Sequence, residues 1–136
     1  MHIHPDDIPG ISFDWGAIKW FVTPDTVPGT AVTQGEVIVN PGKGHARHRH
    51  PRSEELIYVV SGRGEQTVGD EGPFAITEGD LVRIPVNEEH STYNTTWRPL
   101  RLIVTYAPGG SETDLEGAPD YRGLAAGDVP HWRQAD

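Results

Sequence analysis

Turn signals cut this chain into runs too short for long helices. Pro24-Asp25, Pro41-Gly42, Ser61-Gly62, Gly69-Asp70, Glu78-Gly79-Asp80 and Pro108-Gly109-Gly110 fall at short intervals, and each pairs residues that favour tight turns. Sixteen glycines and twelve prolines supply them. The segments between are rich in Val, Ile and Thr, which pack well on a pleated surface. They predict strands over residues 17–23, 31–40, 55–60, 64–68, 74–76, 81–85, 91–94 and 100–106. Eight short strands without a convincing helix imply an all-β sandwich or barrel in place of βαβ units. No repeat at a fixed period points to a solenoid or propeller.

The 136 residues suffice for one domain with its own core. Residues 1–16 read as an N-terminal arm, 17–107 as the barrel and 108–136 as an acidic C-terminal tail. Two readings of the tail stay open: a solvated segment partly docked on the barrel, or a lid that brings Tyr121 or Trp132 to the mouth of a pocket.

Charge narrows the partners. A net charge of −9 opposes binding to a phosphate backbone, which demands a basic surface. It equally opposes an anionic membrane surface, which leaves a small molecule or another protein. Residues 1–10 are polar and include Asp6 and Asp7, so no secretory leader is expected, and the default expectation is a cytoplasmic protein. No apolar run approaches the length that spans a bilayer. The absence of cysteine removes disulfides and thiolate metal sites.

The histidines are not scattered. In an extended chain side chains alternate, so His48 and His50 face one way, about 7 Å apart along the strand, with Arg47 and Arg49 turned outward. Pro51 then lets the chain turn, Glu55 opens an apolar strand sharing a face with Ile57 and Val59, and His90 follows the turn at 87–89. Three neutral imidazoles and a carboxylate suit one divalent transition metal per chain, Mn, Fe, Ni, Co or Zn. An octahedral ion would keep two positions free, whereas tetrahedral zinc would be closed by the same four groups.

These residues resemble the cupin family. Gly42, five residues, His48-Arg49-His50, four residues, Glu55, six residues and Gly62 resemble its first motif. Gly79, five residues, Pro85, Asn87 two positions on, His90 and Asn94 resemble its second, with Asn87 where the family has glycine. Asn tolerates the left-handed backbone this turn needs. The resemblance implies a double-stranded β-helix (jelly-roll) barrel in which His48, His50, Glu55 and His90 hold the metal. Glu54 is the rival carboxylate; the spacing to Gly62 and the shared parity with Ile57 and Val59 favour Glu55.

Around that set, Leu102, Val104 and Tyr106 form the more apolar face of their strand, which brings Tyr106 toward the pocket with a hydroxyl to offer a substrate. Asn94 reads as a structural hydrogen-bonder. His45 is a candidate acid/base group, although strict alternation from His48 turns it outward. Arg83 reads as a solvated edge residue, and His2 and His4 belong to the arm. The fold hosts many chemistries, so three classes remain: a dioxygenase-type oxidoreductase, a non-oxidative lyase, isomerase or cyclase using the metal as Lewis acid, and a binding protein. The apolar strand 17–23 and the need to cover a sheet edge lead to the expectation of a homodimer.

Overall fold

The computed structural model describes residues 1–131, and Trp132 lies outside them. In chain order the strands are β1 (Gly10–Phe13), β2 (Gly16–Val22), β3 (Thr33–Val39), β4 (Gly44–His48), β5 (Glu54–Ser61), β6 (Arg63–Val68), β7 (Glu71–Thr77), β8 (Leu81–Ile84), β9 (His90–Tyr93), β10 (Leu100–Ala107) and β11 (Arg122–Leu124). Two short 3-10 turns, Pro5–Asp7 and Ser111–Leu115, complete the elements. All strand pairs are antiparallel. They form a seven-stranded sheet in the order β11-β1-β2-β3-β10-β5-β8 and a four-stranded sheet in the order β4-β9-β6-β7.

The period-two pattern decides which side chains fill the space between the sheets. Leu100, Leu102, Val104 and Tyr106 of β10 are buried, as are Val37 and Val39 of β3 and Ile57 and Val59 of β5. Ile76 joins them from the smaller sheet, and Phe13 and Ile18 from β1 and β2. The jelly-roll expectation and the inward face of β10 therefore hold. Asn94 is structural as expected: its Nδ2 donates to Val39 O and Arg98 O, and its Oδ1 accepts from Thr96 N. Asn87 sits at φ 63°, so it adopts the backbone that the missing glycine would have supplied.

Both chain ends enter the larger sheet. Residues 10–13, read from sequence as part of an arm, pair with β2 on one side and with 122–124 of the tail on the other. Strand β2 is thus an interior strand, between β1 and β3, with Ile18 buried and Trp20, Phe21 and Val22 half-buried. No described helix is long and apolar enough to cross a membrane.

Candidate metal centre

The site lies where β4, β5 and β9 meet. His48 pairs with His90 across the β4–β9 ladder, and His45 pairs with Thr92. Three steps on β4 thus match two on β9. The extra residue is a β-bulge, and it reverses the alternation of β4 between His45 and His48. His45, expected to point outward by strict alternation, therefore lies inside, its ring 3.8 Å from that of His48 and stacked on Trp15 at 5.4 Å. Arg47 and Arg49 face outward as expected, both donating to Glu89.

Each of the three expected imidazole ligands has its Nδ1 beside an acceptor. His48 Nδ1 lies 2.7 Å from Ala46 O, His90 Nδ1 lies 3.0 Å from Glu88 O, and His50 Nδ1 lies 3.3 Å from Asp114 Oδ2. An acceptor at Nδ1 places the proton there and leaves Nε2 with a free lone pair. His50 Nε2 and His90 Nε2 approach Glu55 Oε2 at 3.5 and 2.8 Å. All three atoms are buried, and despite these short approaches none has a hydrogen-bond partner of acceptable geometry. Three orphaned polar atoms facing one point are costly in a protein interior; a cation between them removes that cost. Ligand atoms from His48, His50, Glu55 and His90 all lie within 4.8 Å of one another, so the residues present fit a single metal ion.

The rival carboxylate is elsewhere. Glu54 accepts from Arg83 Nε at 2.8 Å on the outer face, whereas Glu55 is 5 % exposed and lines the interior. The Glu54–Arg83 pair also accounts for Arg83. His4 accepts from Asp6 N at the start of the first 3-10 turn.

The metal-free electrostatics follow from crowding. Burial first, then the neighbouring imidazoles, lowers His45 to about 3. Burial and His90 lower His48 to about 4, against a smaller upward pull from the Ala46 carbonyl. Burial pulls His90 down as well, but the Glu55 carboxylate and the Glu88 carbonyl outweigh it and hold His90 above its ordinary value. Tyr106 is cross-strand partner to Glu55, with its ring 4.7 Å from His50. Burial, then Glu55, Asp114 and Glu112, push its phenol well above the usual range. It therefore remains a neutral hydrogen-bond donor. His45, His48, Glu55, His90 and Tyr106 line a cavity of about 40 Å³ whose remaining wall is mostly apolar, with Ile18, Val37, Leu102 and Leu115.

Sequence reasoning missed Trp15, Trp20 and Asp114. Trp20 packs 5.5 Å from Tyr106. Asp114 belongs to the tail, whose Ser111–Leu115 turn docks by Ser111 on Ser53, by Glu112 on Thr33, and by Leu115 in the core. Nothing local in the sequence singles Asp114 out from the other tail carboxylates. Of the two lid candidates, Tyr121 packs edge-on against Phe13 at 5.7 Å, and Trp132 is outside the described residues.

Comparison with known proteins agrees with this fold. A family model described as a cupin domain matches residues 35–112. Protein SchB of Streptomyces halstedii is 32% identical over 110 residues, covering 81% of this chain and 79% of that protein. The polyketide synthase CurC of Streptomyces cyaneus is 33% identical over 94 residues, 68% of this chain and 60% of that protein. Among solved structures, the Lactobacillus farciminis oxalate decarboxylase formate complex superposes with a TM-score of 0.71 at 22% identity over 90% of this chain. This chain spans about a third of that decarboxylase, 34% of its length.

Proposed function

The chain belongs to the cupin family, and from that premise we propose that it is a metal-dependent enzyme acting on a small oxygenated organic molecule inside its barrel. The observation that carries this reading is the convergence of three imidazoles, each with Nδ1 beside an acceptor, and one buried carboxylate on a point that no protein hydrogen bond satisfies. His48, His50, Glu55 and His90 would hold one divalent transition metal. When bound, such an ion polarises substrate oxygens and, where redox-active, engages dioxygen.

The first reading of the reaction is of dioxygenase or related oxidoreductase type. Tyr106 then offers a neutral donor to a substrate oxygen, and the apolar wall excludes water from the reacting molecule. A second, non-oxidative reading is favoured by His45. Its imidazole lines the metal cavity and is neutral at physiological pH, so it can accept a proton from a substrate carbon or hydroxyl while the ion acts as Lewis acid. The name of the polyketide synthase relative is compatible with such carbonyl and enol chemistry. We further propose that the protein is a homodimer, which light scattering at tens of micromolar tests: a monomer mass there would end that proposal.

The deciding experiment is elemental analysis of protein purified without added metal, followed by oxygen-uptake assays on diketones, enols and phenolics. Bound metal with oxygen consumption supports the first reading. Turnover without oxygen consumption supports the second. Bound metal with no turnover of any substrate would favour a binding protein.

A further inference from the structure

A strand at the end of a sheet presents backbone groups that no neighbouring strand pairs. Four strands end the two sheets: β11 and β8 in the larger, β4 and β7 in the smaller. Three of them are blunted in ways that discourage a further strand. β4 is bulged and carries Arg47, β7 contains Pro73 and a register shift, and β11 has only three residues. β8, Leu81-Val82-Arg83-Ile84, has no proline, and its single charge is already engaged by Glu54 at 2.8 Å.

The side chains at this edge are apolar as well. Leu81 is 62% exposed, and its cross-strand partner Tyr58 is 47% exposed. Both stand on the outer face, since Val82 and Ile84 are buried on the inner one. Tyr58 pairs in turn with the half-buried Ile103 of β10, and Val86, just past β8, is exposed.

Hydrogen-bond parity decides which atoms the edge offers. Val59 N donates to Asp80 O, and Gly79 N donates to Val59 O, so Asp80 turns its carbonyl toward β5. Alternation then turns the backbone groups of Val82 and Ile84 toward β5 and those of Leu81 and Arg83 toward the free side. An identical strand, run antiparallel, matches that set. With Val82 opposite Val82 of a second copy, Leu81 lies opposite Arg83 in both halves, and each such pair exchanges both of its backbone bonds. Sliding the register one way sets Arg83 against Arg83, opposing like charges, and Leu81 against Pro85, which has no N–H to donate. Sliding it the other way sets Arg83 against Gly79, whose N–H is already given to Val59.

We propose that β8 is the homodimer interface: two copies join edge to edge, antiparallel about a two-fold axis at Val82, and their larger sheets become continuous. This rests on the homodimer proposed above and gives it a surface and a register. Two-fold pairing uses the same edge in both molecules and so closes the assembly, which a strand from an unrelated protein would not do. Arg83 keeps Glu54 while its stem covers Leu81 of the other copy. A chain of net charge −9 thus meets its like without bringing an unpaired charge of β8 to the contact.

The test uses the full chain. Sedimentation at tens of micromolar is expected to return the mass of two chains. Leu81→Lys, at an exposed position, sets a cation against Arg83 of the other copy; it should raise the dimer dissociation constant about tenfold or more with an unchanged far-ultraviolet spectrum. Val82→Cys reads the register. The chain has no cysteine of its own, the position is buried within one chain, and non-hydrogen-bonded cross-strand Cα atoms stand about 4.5 Å apart, within disulfide reach. Mild oxidation with diamide should then give a covalent dimer. A native dimer that survives Leu81→Lys undiminished, or that yields no disulfide from Val82→Cys, overturns the interface. A native chain of monomer mass overturns it together with the homodimer itself. Neither result touches the metal-dependent reading, which metal analysis of the same samples tests separately.

Discussion

His48 faces His90 directly across the β4–β9 ladder, with ring centroids 4.2 Å apart. The two come from motifs 42 positions apart in number, yet cross-strand pairing sets their separation more firmly than any loop could. The ladder brings both imidazoles to the candidate metal position, and Glu55 of β5 reaches His90 Nε2 at 2.8 Å.

That arrangement predicts the effect of removing ligands. His48→Ala and His90→Ala should each cut metal affinity by more than the roughly 10- to 100-fold typical of losing a mere supporting group. Glu55→Gln should weaken binding, whereas Glu54→Gln should leave it unchanged, because Glu54 is engaged with Arg83 on the outside. Metal content after dialysis against a weak chelator checks all four. Full occupancy in either histidine variant removes that residue from the site.

Asp114 predicts that the tail matters to the metal. Its carboxylate is the acceptor facing His50 Nδ1, and it acts through His50 as a positioning residue. Asp114→Ala should lower metal affinity about 10-fold or somewhat more while leaving the unfolding midpoint of the metal-free chain nearly unchanged, since Asp114 is about a third exposed, at 35%. Equal metal affinity in the variant and the native chain would mean that His50 is oriented by packing alone.

Asn94 predicts a purely structural loss. Asn94→Ala removes two donated bonds to carbonyls and the acceptor for Thr96 N, and Asn94 itself is buried. Leaving those groups unpaired should cost about 3 kcal/mol of folding stability, read as a lower urea midpoint with an unchanged slope. A loss below about 1 kcal/mol would show that water replaces the side chain.

What could be read from sequence, and what could not, divides along physical lines. The strands with long alternating runs, such as β3, β5 and β10, announce themselves because one face of each is buried. Strand β1, with Gly10 and Ser12 among its four residues, and β11, with three, carry little apolar period; they exist because they pair with each other. The four candidate ligands were legible because their spacing is local. The inward turn of His45 was not, since the bulge that causes it is a mismatch in register between two strands. Trp20 and Asp114 reach the site through tertiary packing, which no local spacing records.

The pH dependence of stability joins these groups in one measurement. In the metal-free chain His45 and His48 are lowered to about 3 and about 4. The unfolded chain, with histidines near 6.5, then binds protons that the folded chain refuses. Their contribution is fully present above about 6.5 and is lost as pH falls toward about 4 and then about 3. His90 has the opposite sign: it is raised in the fold, so its contribution is present below about 6.5 and is lost as pH rises through its folded value. A metal at Nε2 requires neutral His90 and reverses that sign, because coordination and protonation compete for one lone pair. The stability gained from metal should therefore grow with pH between about 5 and 7, seen as a widening gap between the melting temperatures of the metal-loaded and metal-free chains at fixed metal concentration. His90→Asn should flatten the widening. Parallel melting curves for the two forms of the native chain would show that these imidazoles do not bind the ion, and the metal-centre assignment would fall with them.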